Sequence, residues 1–141
     1  MPQINWMEKL GWNLEILEEF RHAGYAYIRQ GKYETALPFF DALVVLNRDD
    51  PYDMQTLGAL YVQLNNPQKA IHYLDRALQV EGDHAPTLLN LAKAFFMAER
   101  YQEGVSLAQI LTKDANPFIS SQAQALLLAF RRPIIEAGLS K

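Results

Sequence analysis

The chain has 141 residues, half of them apolar and 21% charged, so it can bury a core and is not a disordered polymer. Thirteen Lys and Arg against sixteen Asp and Glu give a net charge of −3, which argues against a surface that neutralises phosphates, and no nucleic acid partner is expected. With no cysteine there are no disulfides, thiolate metal ligands or thiol nucleophiles, a composition suited to the inside of a cell.

In chain order, Met1-Pro2-Gln3-Ile4-Asn5-Trp6 lacks the basic start and unbroken apolar run of a secretory signal. No later stretch offers the roughly 18 to 20 uncharged residues of a spanning helix, so membrane insertion is not expected. Residues 1–16 are predicted to hold a short N-terminal helix, because Asn5 followed by Glu8 resembles a capping box and Gly11 interrupts the pattern. Its apolar residues Trp6, Met7, Leu10 and Trp12 admit two readings: the face of a homodimer, or a cap packed on the neighbouring helices. A long helix is predicted over about 13–30, and Pro38 lies inside the next helical pattern, where it removes a backbone hydrogen bond and should bend the helix.

Further starts are marked by Asp50-Pro51, Asn66-Pro67 and Asn116-Pro117. Each sets a capping side chain before a proline, whose missing N–H would be unpaired in the first turn anyway. Residues 121–130 are rich in Ala and Leu and are closed by Arg131-Arg132-Pro133, which predicts a capping helix within 119–141.

Superimposed on these signals is a fixed period of 34. Gly24, Gly58 and Ala92 form a small column, and Tyr27, Tyr61 and Phe95 an aromatic one. Ala36, Ala70 and Gly104 are small again, while Phe40, Leu74 and Ala108, and Leu43, Ala77 and Leu111, are apolar in register. Two antiparallel helices approach closely only where one presents Gly or Ala and the other a large side chain. Each unit therefore reads as a helical hairpin whose turn falls at Gln30-Gly31-Lys32-Tyr33, Leu64-Asn65-Asn66-Pro67 and Ala98-Glu99-Arg100-Tyr101. One hairpin cannot bury its apolar face alone, so the units must stack.

Leu57-Gly58-Ala59-Leu60-Tyr61 followed by Ala70-Ile71-His72-Tyr73-Leu74 resembles the tetratricopeptide repeat. The departures are the absence of Trp at the opening column, Gly104 in place of Ala, and late prolines at Pro51, Pro86 and Pro117. The resemblance implies an all-α domain over 1–141, with three helix-turn-helix repeats across 17–118 in a short right-handed superhelix. It also implies a concave peptide-binding groove formed by the first helix of each repeat. Carried over by register, its lining would be Arg21, Tyr25, Ile28 and Arg29, then Tyr52, Gln55, Ala59, Val62 and Gln63, then Leu89, Lys93, Phe96 and Met97. A carboxylate clamp of the kind that grips chaperone C-termini is not implied, because Arg21 and Tyr25 stand where Lys and Asn would be and Lys93 stands alone in the third repeat.

The first repeat is more specific. Gln30-Gly31-Lys32-Tyr33-Glu34-Thr35-Ala36 with Phe40-Asp41-Ala42-Leu43-Val44-Val45-Leu46 resembles the small chaperones of bacterial type III secretion systems. That resemblance implies a cytoplasmic bacterial protein that holds an apolar segment of a secreted client, whether translocator, needle subunit or other early export substrate, and keeps it export-competent. The competing reading is a generic scaffold or assembly adaptor for folded partners.

No catalytic constellation accompanies the repeats. His22, His72 and His84 are spaced 50 and 12 apart without a metal-binding pair, and Asp49, Asp50 and Asp53 read as capping residues without the Gly and distal Glu of a calcium loop. Adjacent Glu18 and Glu19 project from different sides of a helix, and no phosphate loop, dinucleotide fingerprint or nucleophile elbow occurs. The expectation is a binding protein and not an enzyme, with no metal and no cofactor.

Overall fold

A computed structural model of the chain describes residues 4–48 and 50–139; Met1, Pro2, Gln3, Asp49 of the acidic turn, Ser140 and Lys141 lie outside the described residues. Among the described residues the secondary structure is entirely helical. A short α1 (Trp6–Leu10) precedes three antiparallel pairs: α2 (Leu14–Arg29) with α3 (Tyr33–Leu46), α4 (Pro51–Gln63) with α5 (Pro67–Val80), and α6 (Ala85–Met97) with α7 (Tyr101–Leu111). Then come α8 (Pro117–Ala129) and a short α9 (Arg131–Glu136). Each pair packs on the next through α3 on α4, α5 on α6 and α7 on α8, and the first helices line up as α4 against α6 against α8. None of the described helices is long and apolar enough to cross a membrane.

The punctuation acts as its chemistry requires. The side chains of Asn5, Asn13, Asp50, Asn66 and Asn116 accept backbone N–H groups in the first turns of α1, α2, α4, α5 and α8. The three turns share one backbone solution: Gly31, Asn65 and Glu99, each one period apart, take φ of 74°, 59° and 62°. The next N–H then reaches back to the carbonyl of Tyr27, Tyr61 or Phe95, at 2.8–2.9 Å. Glu99 accepts the left-handed conformation without glycine's freedom, at a cost of about 1 kcal/mol.

The long helix runs over Leu14–Arg29, within the expected 13–30, and so begins inside the segment 1–16 given to the N-terminal helix. The capping helix starts earlier than its Ala- and Leu-rich stretch, at Pro117 behind Asn116. Helix α8 stops at Ala129, ahead of Arg131-Arg132-Pro133, but a further short helix follows, with Pro133 in the first turn of α9, where a missing N–H has no intrahelical acceptor to lose. Pro38 lies on the exposed side of α3, and the helix runs on to Leu46.

The small columns are packing devices. A Cβ on Gly24 would stand 2.6 Å from Phe40 Cε2, and one on Gly58 would stand 2.5 Å from Leu74 Cγ and Cδ2. Nothing larger than glycine fits beneath those fully buried side chains. Where the third repeat has Ala92, the residue in the column of Phe40 and Leu74 is Ala108, so both positions of that pair are small and buried.

Candidate concave cleft

The first helices carry the candidate site. Tyr25 and Ile28 of α2, Gln55, Thr56, Ala59, Leu60 and Gln63 of α4, and Thr87 and Asn90 of α6 line an open cleft of about 340 Å³, completed by Tyr33, His84 and Pro86. Apart from His84, no side chain in this lining can carry a charge at neutral pH; the rest are apolar, hydroxyl or carboxamide groups. A segment entering it would exchange water for apolar walls, with amide groups placed to satisfy a backbone.

Its geometry is fixed by bonds between helices. The Tyr25 ring stands edge-on to Phe40 at 5.0 Å, and its hydroxyl lies 2.8 Å from Thr56 Oγ1. Thr56 already donates to the Tyr52 carbonyl at 3.0 Å, so Tyr25 is the donor. On the far wall His84 Nδ1 is 2.6 Å from the hydroxyl of buried Thr87. At the mouth, Gln55 Nε2 donates to Glu81 Oε2 at 3.2 Å, and the exposed Tyr52 hydroxyl lies 3.5 Å from Oε1 of the same carboxylate.

Several register-based assignments fall elsewhere. Arg21 does not offer its charge to a ligand. Its Nε and Nη2 donate to Asp53 Oδ1 and Oδ2, both at 2.7 Å, with Glu18 and Asp50 beside it. Asp53 is fully buried at the start of α4, so this bidentate pair ties α2 to the second repeat. The hydrogen bond to Asp53 outweighs the guanidinium's desolvation and pushes its pKa further up, keeping it charged.

Leu89 and Phe96 are also corrected, since both are core residues. Leu89 is covered by Ile119 and Ala123 of α8. Phe96, 1% exposed, stacks on Phe130 at 4.9 Å and rests against Gly104, whose missing Cβ would lie 3.1 Å from the ring. The fourth first-type helix thus closes the concave face where the third repeat would have opened it. Val62 is half-buried against the main core, whereas Lys93 and Met97 stay half-exposed outside the cleft lining, and Arg29 is exposed.

Tyr33, Thr56, Leu60, His84, Pro86, Thr87 and Asn90 were not identified from sequence. Thr56 and Asn90 share one column of the period, which is the signal that could have found them. At the N-terminus, Met7 packs on the main core and Trp12 lies 5.7 Å from Phe20, while Trp6 and Leu10 face outward.

Helical hairpins stacked at a constant period around a concave cleft define a helical-repeat solenoid. The chain belongs to the tetratricopeptide-repeat family, whose model matches residues 23–95. A comparison with curated proteins gives no match. Among solved structures the chain is similar to PcrH, crystallised in complex with the chaperone binding region of PopD. The TM-score is 0.66 at 21% identity, over 86% of this chain and 95% of that one. It is also similar to a MamA RS-1 ArsTM double mutant, with a TM-score of 0.65 at 18% identity over 84% and 70% of the two chains.

Proposed function

We propose that this protein is a cytoplasmic bacterial chaperone that binds an apolar, extended or helical segment of a type III secretion client in its concave cleft and keeps it export-competent. The observation that carries the reading is the cleft itself: an open, almost charge-free lining held rigid by the Tyr25–Thr56 and Gln55–Glu81 bonds. Support comes from the first-repeat segment around Gly31-Lys32-Tyr33-Glu34 and from the fold shared with PcrH. The mechanism is passive. Client side chains displace water from Tyr25, Ile28 and Leu60, while Gln55, Gln63 and Asn90 satisfy main-chain groups, and no nucleotide or other cofactor takes part.

The test is a titration of peptides from secreted proteins encoded beside this chain's gene against the wild type and Ala59→Trp, which fills the cleft floor. Ala59→Trp should weaken binding by at least about tenfold, equivalent to about 1.4 kcal/mol. Equal binding by both proteins, or no binding by either, overturns the proposal. The adaptor reading draws on exposed Val45, Val80 and Ile110 of the second helices. It expects Val80→Ser, and not Ala59→Trp, to abolish partner binding.

A further inference from the structure

Each first helix after α2 has a face seated on the preceding repeat. In α4 that face includes Asp53, Leu57 and Leu60; in α6, at the same register, Thr87, Leu91 and Ala94; all six are buried. The equivalent residues of α2 are Glu19, Ala23 and Ala26. There Glu19 is exposed and the two alanines half-exposed, and with Glu15, Glu18 and His22 they line an open depression of about 490 Å³. The short α1 leaves this seat free by packing against α3. Among the described residues, the first repeat thus presents an empty seat of the kind that is filled by a preceding repeat three times elsewhere in the molecule, under α4, α6 and α8.

The other end of the solenoid carries a matching excess. The exposed face of α8 runs through Phe118, Ser121, Ala125 and Leu128, spaced to form one stripe, with Phe118 65% and Leu128 71% exposed. From residue 117 to 135 there is no acidic side chain, and Arg131 and Arg132 stand exposed at the end of the stripe. Arg132 reaches Glu136 at 3.7 Å on the same helix, just as Glu18 is paired with Arg21 on α2. Solenoid ends normally wear a polar cap; here one end is apolar and cationic, the other open and acidic.

We propose that the protein associates head to tail with a second copy of itself, the α8–α9 end of one copy filling the α2 seat of the next. The seat's small Ala23 and Ala26 permit a close helix approach, as where α6 rides on α4 and α5. Glu15 and Glu19 then meet Arg131 and Arg132, and Leu14, 70% exposed, gains apolar cover. Because the two surfaces differ, the contact is heterologous and leaves a free end at each side, so the assembly grows as a chain and does not close as a symmetric dimer.

The test uses the full chain without any client, so its outcome is independent of the chaperone reading. Sedimentation of the wild type should show an average mass that rises with protein concentration and falls as salt is raised. Glu15→Lys with Glu19→Lys, and separately Arg131→Glu with Arg132→Glu, should each weaken self-association by about tenfold or more. An equimolar mixture of the two variants should associate again, because each supplies the surface the other lacks. As a second measurement that does not depend on charge, the cysteine-free chain carrying Ala26→Cys should cross-link on oxidation to a copy carrying Ala125→Cys faster than to itself. A wild type that stays monomeric at every concentration overturns the proposal. So does association untouched by either charge reversal, or association lost only with Trp6→Ser, which marks a symmetric N-terminal dimer.

Discussion

The first two repeats and the third solve the same packing problem in opposite ways. In the former, glycine on the first helix receives a large residue from the second, Gly24 under Phe40 and Gly58 under Leu74. In the latter both paired columns hold buried alanines, Ala92 and Ala108, and the large ring of the repeat comes from another position, Phe96, which leans on Gly104 and stacks on Phe130. The shift has a functional side. Where glycine and a large residue interlock, the concave columns stay open as a cleft; where Phe96 turns inward, α8 closes over them.

That contrast can be broken most severely at its two anchors. Phe96→Ala removes the ring that fills the third repeat and should cost about 3–5 kcal/mol in urea unfolding. Arg21→Met, which strands the buried Asp53 carboxylate between the first and second repeats, should cost a similar amount of about 3–5 kcal/mol. If Arg21→Met moved the midpoint by only a few tenths of that, the clasp between α2 and α4 would be a surface pair after all.

A smaller substitution sharpens the comparison from the glycine side. Gly58→Ala drives a methyl into Leu74, which has no free volume to retreat into, and should lose about 1–3 kcal/mol despite alanine's better helix propensity. The reverse change in the third repeat, Ala92→Gly, meets no clash and should lose about 2 kcal/mol, from helix propensity and one fewer buried methyl. A Gly58→Ala protein as stable as the wild type would mean that the second repeat has no such interlock.

The least effect is a pH dependence at Tyr61, where the second repeat meets α3 of the first. Burial, with a hydrogen bond of 3.0 Å from the hydroxyl to Asp41, pushes the Tyr61 phenol up to about 12, against about 10 for a free tyrosine. The folded state therefore holds this proton more tightly than the unfolded chain. The stability it contributes is complete below about pH 10 and is lost as pH rises through about 12. Alkaline unfolding curves of Tyr61→Phe should be flatter than wild type across that window, whereas Phe95, at the same register in the third repeat, has no proton to lose.

Much of this was legible in the residues alone. The period of 34, the capping Asn and Asp residues and the left-handed turn positions are set within a few residues of chain, so the hairpins could be placed without coordinates. The cleft was only half legible. Tyr25, Ile28, Gln55 and Ala59 follow from register, but Arg21, Leu89 and Phe96 share that register and point to other tasks. The signal for Phe96 was present as Gly104 standing in an alanine column, yet its meaning required knowing which ring lay opposite.

By itself, then, the sequence determined the local structure: which stretches are helical, where each stops, and that they repeat, because caps, turns and helical periodicity act over neighbouring residues. Only the tertiary structure decided what each face meets. Whether a side chain lines a cleft, is sealed by α8 or clasps a neighbouring repeat depends on partners one or two helices further along the chain, such as Phe40 for Gly24 or Asp53 for Arg21. Contacts of that range are selected by volume and charge in three dimensions, which a one-dimensional pattern does not specify.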